Sequence, residues 1–209
     1  MLNAIPYLGR CDVRPADIQL GHHVVLQLTE PYKHMGYNVT MDNFFTSLPL
    51  ANDMLKRKFS LVGTMRHNRR ELPGRLPQLE KIMPRYSSKF FLEEKEGLVS
   101  LTYYKGKPNK AVALLSTLHQ SHVVDESHLK MLPNAIHFYN HNKTGVDACD
   151  QMARLYTTRC GNRRWPLQVF CNLLDFCGFL GSCIRSPLSQ RLQGENFFWK
   201  WARSSASYS

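Results

Sequence analysis

Apolar positions change their period along the first third of the chain. Leu20, Val24, Val25 and Leu28 share one face of a helix, and Pro31 weakens its last turn. Tyr37, Val39 and Met41 then alternate with polar neighbours, so Asn38 to Asp42 is expected to be a short strand. Leu48, Ala51, Leu55 and Phe59 follow at spacings of 3, 4 and 4, the stripe of an amphipathic helix. Thr46 or Ser47 can cap that helix, with Pro49 tolerated in its first turn. SLVGTMR is a second strand. Residues 20–66 thus predict helix, strand, helix, strand, an α/β rhythm that favours parallel pairing.

The character changes from about residue 67. RHNRRELPGRLP is polar and proline-containing and is expected to be a connection. The run KFFLEEKEGLVSLTYYKGKPNKAVALLSTL alternates strand-like stretches with turns, which predicts a small antiparallel insertion over 67–134. Helical rhythm resumes at 144 and continues to about 184, interrupted by GNRRWP. The segment Val169 to Ile184 is the most apolar, but Asn172, Asp175 and Ser182 break it, so a buried helix is expected rather than a membrane span. At the front, IPYLGR reads as a strand with no earlier element to pair with, which suggests a missing front end. The tail from 187 to 209 is Ser-rich at its end and is expected to pack loosely or be disordered.

Charge adds a partner class. Lys plus Arg outnumber Asp plus Glu by 27 to 16, a formal net charge of +11. A surface this basic attracts polyanions, although solubility alone could account for it. The six cysteines form no C-x-x-C pair, so their spacing points to no zinc site. Cys171, Cys177 and Cys183 lie in the apolar helix, where they are expected to be small core residues. The nine histidines show no H-x₃-H with partner cysteines, so satisfied or surface histidines are expected rather than ligands, and the N-terminus has no secretory-signal pattern.

Three acids carry candidate chemistry. Asp42 ends a strand, where ligands of α/β folds bind and where turn-forming Asp is also common. Asp147 and Asp150, in TGVDACDQM, share a helix face at i and i+3. They could complement the helix dipole behind a Thr144 cap, or hold a cation between them. Spacing does not decide.

The blocks DNFFTS, GTMRHNRRELP, LLSTLH, GVDACDQM and RRWPLQVF occur here in one order, from about Pro6 to Ser182. This series resembles that of piggyBac transposases and their domesticated relatives. The resemblance implies an RNase H-like α/β fold, a mixed sheet flanked by helices with a β-rich insertion before the last catalytic helix. It divides the chain into the first part of that domain (1–66), the insertion (67–134), the remainder with the catalytic helix (135–186) and an unmatched tail (187–209). It also implies aspartates that bind two Mg²⁺ ions, DNA cleavage by water and strand transfer by the freed 3′-hydroxyl. The family's second and third aspartates fall on Asp42 and Asp147, and Asp150 matches a further acidic position. Double-stranded DNA is the implied substrate, a homodimer a possible assembly and the nucleus the implied location; neither a membrane nor a small-molecule substrate is implied.

One departure matters. The family's first aspartate lies on a strand just upstream of the Tyr-Leu-Gly stretch, and Asp12 and Asp17 stand on the wrong side of that block. The fold is therefore expected to be truncated and catalysis incomplete. A non-enzymatic DNA-binding or chromatin-interaction module and a gene remnant are the alternatives. Arg159, Arg163 and Arg164 are candidate phosphate contacts, against the alternative of a solvated basic face. Trp165 is expected to wedge between two helices, Phe44 and Phe45 to be core, and Asn43 to pin its loop through a hydrogen bond.

Overall fold

The computed structural model describes residues 5, 15, 18–92, 98–120, 123–125, 129–155, 157–158, 161 and 164–185; within the last two helices the side chains of 146, 148–150, 152, 153, 176 and 179–185 are outside that description. The expectations for IPYLGR, for Asp12 and Asp17 and for the 187–209 tail therefore fall outside the described residues.

The rhythm read from 20–66 is present. Helix α1 (Leu20–Thr29) leads through a 3-10 turn at Glu30–Tyr32 to strand β1 (Asn38–Met41), helix α2 (Leu48–Lys56) and strand β2 (Ser60–Met65). β1 and β2 are parallel, with Met41 opposite Gly63. Ser47 caps α2 by accepting from the Leu50 amide, and Pro49 stands in the first turn where no amide is needed. α2 ends in a closed Schellman turn: the Phe59 amide donates to Met54 and that of Lys58 to Leu55, with Lys58 left-handed at φ 61. The fully buried side of α2 is Leu50, Ala51 and Met54. Leu48 and Leu55 are only partly buried, because the helix turns that other side to the sheet core.

Residues 67–134 hold a helix the sequence did not suggest, α3 (Leu76–Ile82), with Pro77 in its first turn. The expected connection there ends at this proline, which starts a helix as readily as it interrupts one. Strands β3 (Ser88–Leu92), β4 (Ser100–Lys107) and β5 (Lys110–Ser116) follow as an antiparallel meander. β5 pairs directly with β2, giving one mixed sheet in the order β1-β2-β5-β4-β3. Among the described residues β1 is an edge strand, paired with β2 alone. Two short strands, β6 (Val124–Asp125) and β7 (Leu132–Pro133), form a separate ladder.

The two sheet faces build two cores, as alternation requires. One collects Leu61, Met65, Leu101, Tyr103, Ala113 and Leu115 beneath α2 and α3. Burial, and then the Glu80 carboxylate that accepts from its hydroxyl, push the Tyr103 phenol up to about 12. The buried Lys105 ammonium donates to the carbonyls of Glu80 and Met83 and so closes the C-terminal end of α3. The other face sets Val62, Tyr104 and Leu114 against Ala135 and Ile136 of helix α4 (Asn134–Asn142).

Helix α5 (Thr144–Leu155) follows α4 after Lys143 alone, and α6 (Trp165–Arg185) packs against α5. Thr144 is the first residue of α5 rather than a cap before it. The expectation of a buried α6 does not hold as stated. Its described buried positions are Cys171 and Asp175, while Leu167, Val169, Phe170, Leu173, Leu174 and Cys177 are exposed. Trp165 is 71% exposed rather than wedged, since it opens the helix a turn before Gln168, the first half-buried position. No helix among the described residues is long and apolar enough to cross a membrane.

Candidate active site

Asp42 is the first residue past β1, half-buried, at the carboxyl end of the parallel pair. The next four residues fold back on it. Its carboxylate Oδ1 accepts from the Phe44 amide at 2.9 Å, and its carbonyl accepts from the Thr46 amide at 3.2 Å and the Thr46 hydroxyl at 2.8 Å. This is an Asx-type turn, in which a short carboxylate replaces a backbone acceptor. Thr46 can lie so close only because β2 carries glycine beside it. A Cβ on Gly63 would stand 2.2 Å from the Thr46 hydroxyl and 2.9 Å from the Met41 carbonyl.

The segment after β2 holds the turn from outside. Arg66 Nε donates to Asn43 Oδ1 at 3.3 Å, and its guanidinium lies 5.6 Å from the centre of the Phe44 ring. Arg69 donates to the Phe44 carbonyl at 3.3 Å and to Gln19 Oε1 at 2.5 Å. Asn43 thus pins the loop as expected. Phe45 is core at 3% exposure, whereas Phe44 is 38% exposed and stacks under Arg66 instead.

Asp147 lies in the first turn of α5 and is exposed. Asp150 is on the same helix, with its side chain outside the described set. Tyr139 is a half-buried residue of α4. Its hydroxyl lies 3.4 Å from the Thr64 hydroxyl. Burial first, then the charges of Asp42 and Asp147, raise the Tyr139 phenol above its usual value, against the opposing effect of Thr64. Mg²⁺ commonly takes one or two carboxylates and completes its shell with water and substrate phosphates. Asp42 at the end of β1 and Asp147 in the first turn of α5 are carboxylates of that kind, and no three acidic, His or Cys side chains converge among the described residues.

Tyr139 is the residue that sequence reasoning missed, along with Thr64 and Gly63. Its signal was present: Ala135, Ile136 and Tyr139 fall on one helical face. Among the arginines, Arg164 is exposed just before α6, while Arg159 and Arg163 lie outside the described residues. The α5–α6 corner is fastened by Asp175, which accepts from the Thr157 hydroxyl at 2.8 Å and the Thr158 amide at 2.6 Å. The Ser116 and His119 side chains, 3.0 Å apart, form a structural pair. Ser116 Oγ already accepts from the Leu118 and His119 amides, so it closes a turn and is no nucleophile.

A family model described as Transposase IS4, of the DDE type, matches residues 2–179. Among solved structures, the chain is similar to a cryo-EM structure of a piggyBac transposase synaptic complex with hairpin DNA, at 35% identity and a TM-score of 0.72. That match covers 82% of this chain and 35% of the other, so the chain spans about a third of that transposase's length. The mixed sheet with flanking helices, the ordered motif blocks and a family match over nearly the whole chain together show that this chain belongs to the piggyBac-type transposase family.

Proposed function

We propose that this chain is a transposase-derived domain that binds double-stranded DNA and presents Asp42 and Asp147, with Asp150 beside them, to Mg²⁺. The supporting observation is the place of Asp42 at the carboxyl end of the parallel strand pair, in a turn fastened by Phe44 and Thr46, within a chain that matches the transposase family. A bound divalent ion would supply neutralising charge to the oxygens of an in-line phosphoryl transfer. The chain's own residues supply the frame: the Asx-type turn orients Asp42, and Thr46 fixes the turn against Gly63. Arg164, with Arg159 and Arg163, contributes phosphate contacts in this reading.

In this reading cleavage by these 209 residues alone is weak or absent. Incubating purified chain with hairpin-ended duplex and Mn²⁺ or Mg²⁺ tests it. Efficient cleavage that survives in Asp42→Asn would overturn the assignment of Asp42. A homodimer and action in the nucleus accompany the proposal; light scattering and imaging of a tagged chain test them.

The net charge of +11 favours a second reading, a non-enzymatic DNA-binding module. Its affinity for duplex DNA would fall linearly on a log–log plot against salt, by about 0.9 in slope per phosphate contact. A flat plot excludes phosphate contacts in both readings.

A further inference from the structure

We propose that Tyr139 is a positioning residue: through the contact of its hydroxyl with Thr64, it sets Asp147 at a fixed separation from Asp42. The inference rests on the reading of those two acids as metal ligands, and adds the device that spaces them.

The two acids arrive from different parts of the fold. Asp42 follows β1, whose place in the sheet is fixed by pairing with β2. Met41 is opposite Gly63, so one residue further along each strand are Asp42 and Thr64. Thr64 therefore marks the height of Asp42 on the neighbouring strand. Asp147 belongs to α5, which makes no ladder with the sheet. Its tie is α4, joined to it by Lys143.

α4 is held to the sheet by apolar contacts of Ala135 and Ile136 with Val62 and Leu114. Such contacts fix its distance from the sheet better than its position along the strands, because they are not directional. The 3.4 Å contact between Tyr139 and Thr64 is directional, and it lies in the C-terminal half of α4, the half that leads to α5. The joint beyond it is closed locally. The Lys143 amide donates to the Tyr139 carbonyl at 2.9 Å, and the Lys143 ammonium lies 5.8 Å from the Tyr139 ring centre. Asn142 Nδ2 donates to the Phe138 carbonyl at 2.9 Å. A displacement of Tyr139 is thus passed through a single-residue joint to the first turn of α5, where Asp147 stands. In this reading the phenol is a spacer between α4 and β2.

The test uses the whole chain in four forms: wild type, Tyr139→Phe, Thr64→Val and Asp42→Asn. Each is titrated with Mn²⁺, with the free ion followed by electron paramagnetic resonance, and each is melted without metal. Tyr139→Phe keeps the ring and removes the spacer contact; Thr64→Val removes the same contact from the other side at nearly constant shape. The expected result is a loss of Mn²⁺ affinity of about tenfold or more in both, as for other outer partners of metal ligands, at an unchanged melting temperature. A purely structural role would move the melting temperature instead. Wild-type affinity in both variants, with affinity lost in Asp42→Asn, overturns the spacer and leaves the acid pair standing. Identical titrations of wild type and Asp42→Asn overturn the acid pair itself, and the spacer with it. If Tyr139→Phe proves unstable, Thr64→Val decides alone.

Discussion

Gly63 lies directly against Thr46, and the space between them is smaller than a methyl group. A Cβ at 63 would stand 2.2 Å from the Thr46 hydroxyl, which itself donates to the carbonyl of Asp42. Gly63→Ala must therefore displace Thr46, move β1 away from β2, or both. A loss of about 1–3 kcal/mol in urea unfolding is expected, as for overpacked interiors. The displacement also loosens the Asp42 turn, so Mn²⁺ affinity should fall in the same variant.

Lys105 is a cation whose role is entirely internal. Its ammonium donates to two carbonyls at the end of α3 and is 8% exposed. Lys105→Ala leaves those carbonyls without their donor and should cost about 1–3 kcal/mol, read as a lower denaturation midpoint. DNA affinity should not change, since this charge faces no solvent.

Lys58 closes α2 in the left-handed region at φ 61, where a Cβ is unfavourable. Lys58→Gly keeps both turn hydrogen bonds, because they use backbone groups. A gain of about 1 kcal/mol is expected by the same unfolding measurement.

Acid acts through two groups in separate windows. Burial lowers the His119 imidazole below its usual 6.5, and the Ser116 hydroxyl, its oxygen occupied by two amides, can donate only to a neutral ring. The stability this neutral form contributes is complete above 6.5 and is lost as pH falls through the lower folded value. The Thr158 amide, with Thr157 adding to it, holds the Asp175 carboxyl below its usual 3.8. Its contribution is complete above 3.8 and disappears as pH falls further. Unfolding midpoints measured from pH 8 to 3 should show the gap between wild type and His119→Gln narrowing first, and that between wild type and Asp175→Asn narrowing later.

The elements around Asp42 were legible because local rules agree there. Val39 and Met41 alternate, Ser47 caps, and Pro49 stands where a helix tolerates it. The outer surface of α6 was not legible, because Leu173 and Phe170 look like core residues until the structure leaves them uncovered. Helix α3 was hidden by Pro77, a residue that both ends and begins helices. At the site, the motif blocks pointed to Asp42 and Asp147 but not to the contact between Tyr139 and Thr64. Tyr139 and Thr64 are 75 residues apart in sequence and meet only through the packing of α4 on β2, which no local pattern encodes.

Among the described residues one side of β1 carries no paired strand, which has a consequence for any strand that docks there. Backbone groups along Asn38–Met41 can accept a further strand, in cis or in trans, and side chains on a strand alternate between faces. A docking strand shifted by one residue would turn every side chain to the opposite face, and one shifted by two would carry it past Asp42 by about 7 Å. Only one alignment in the series brings a given carboxylate level with Asp42. Alignment along this edge therefore sets both the face a docked strand's side chains take and their distance along the strand from Asp42.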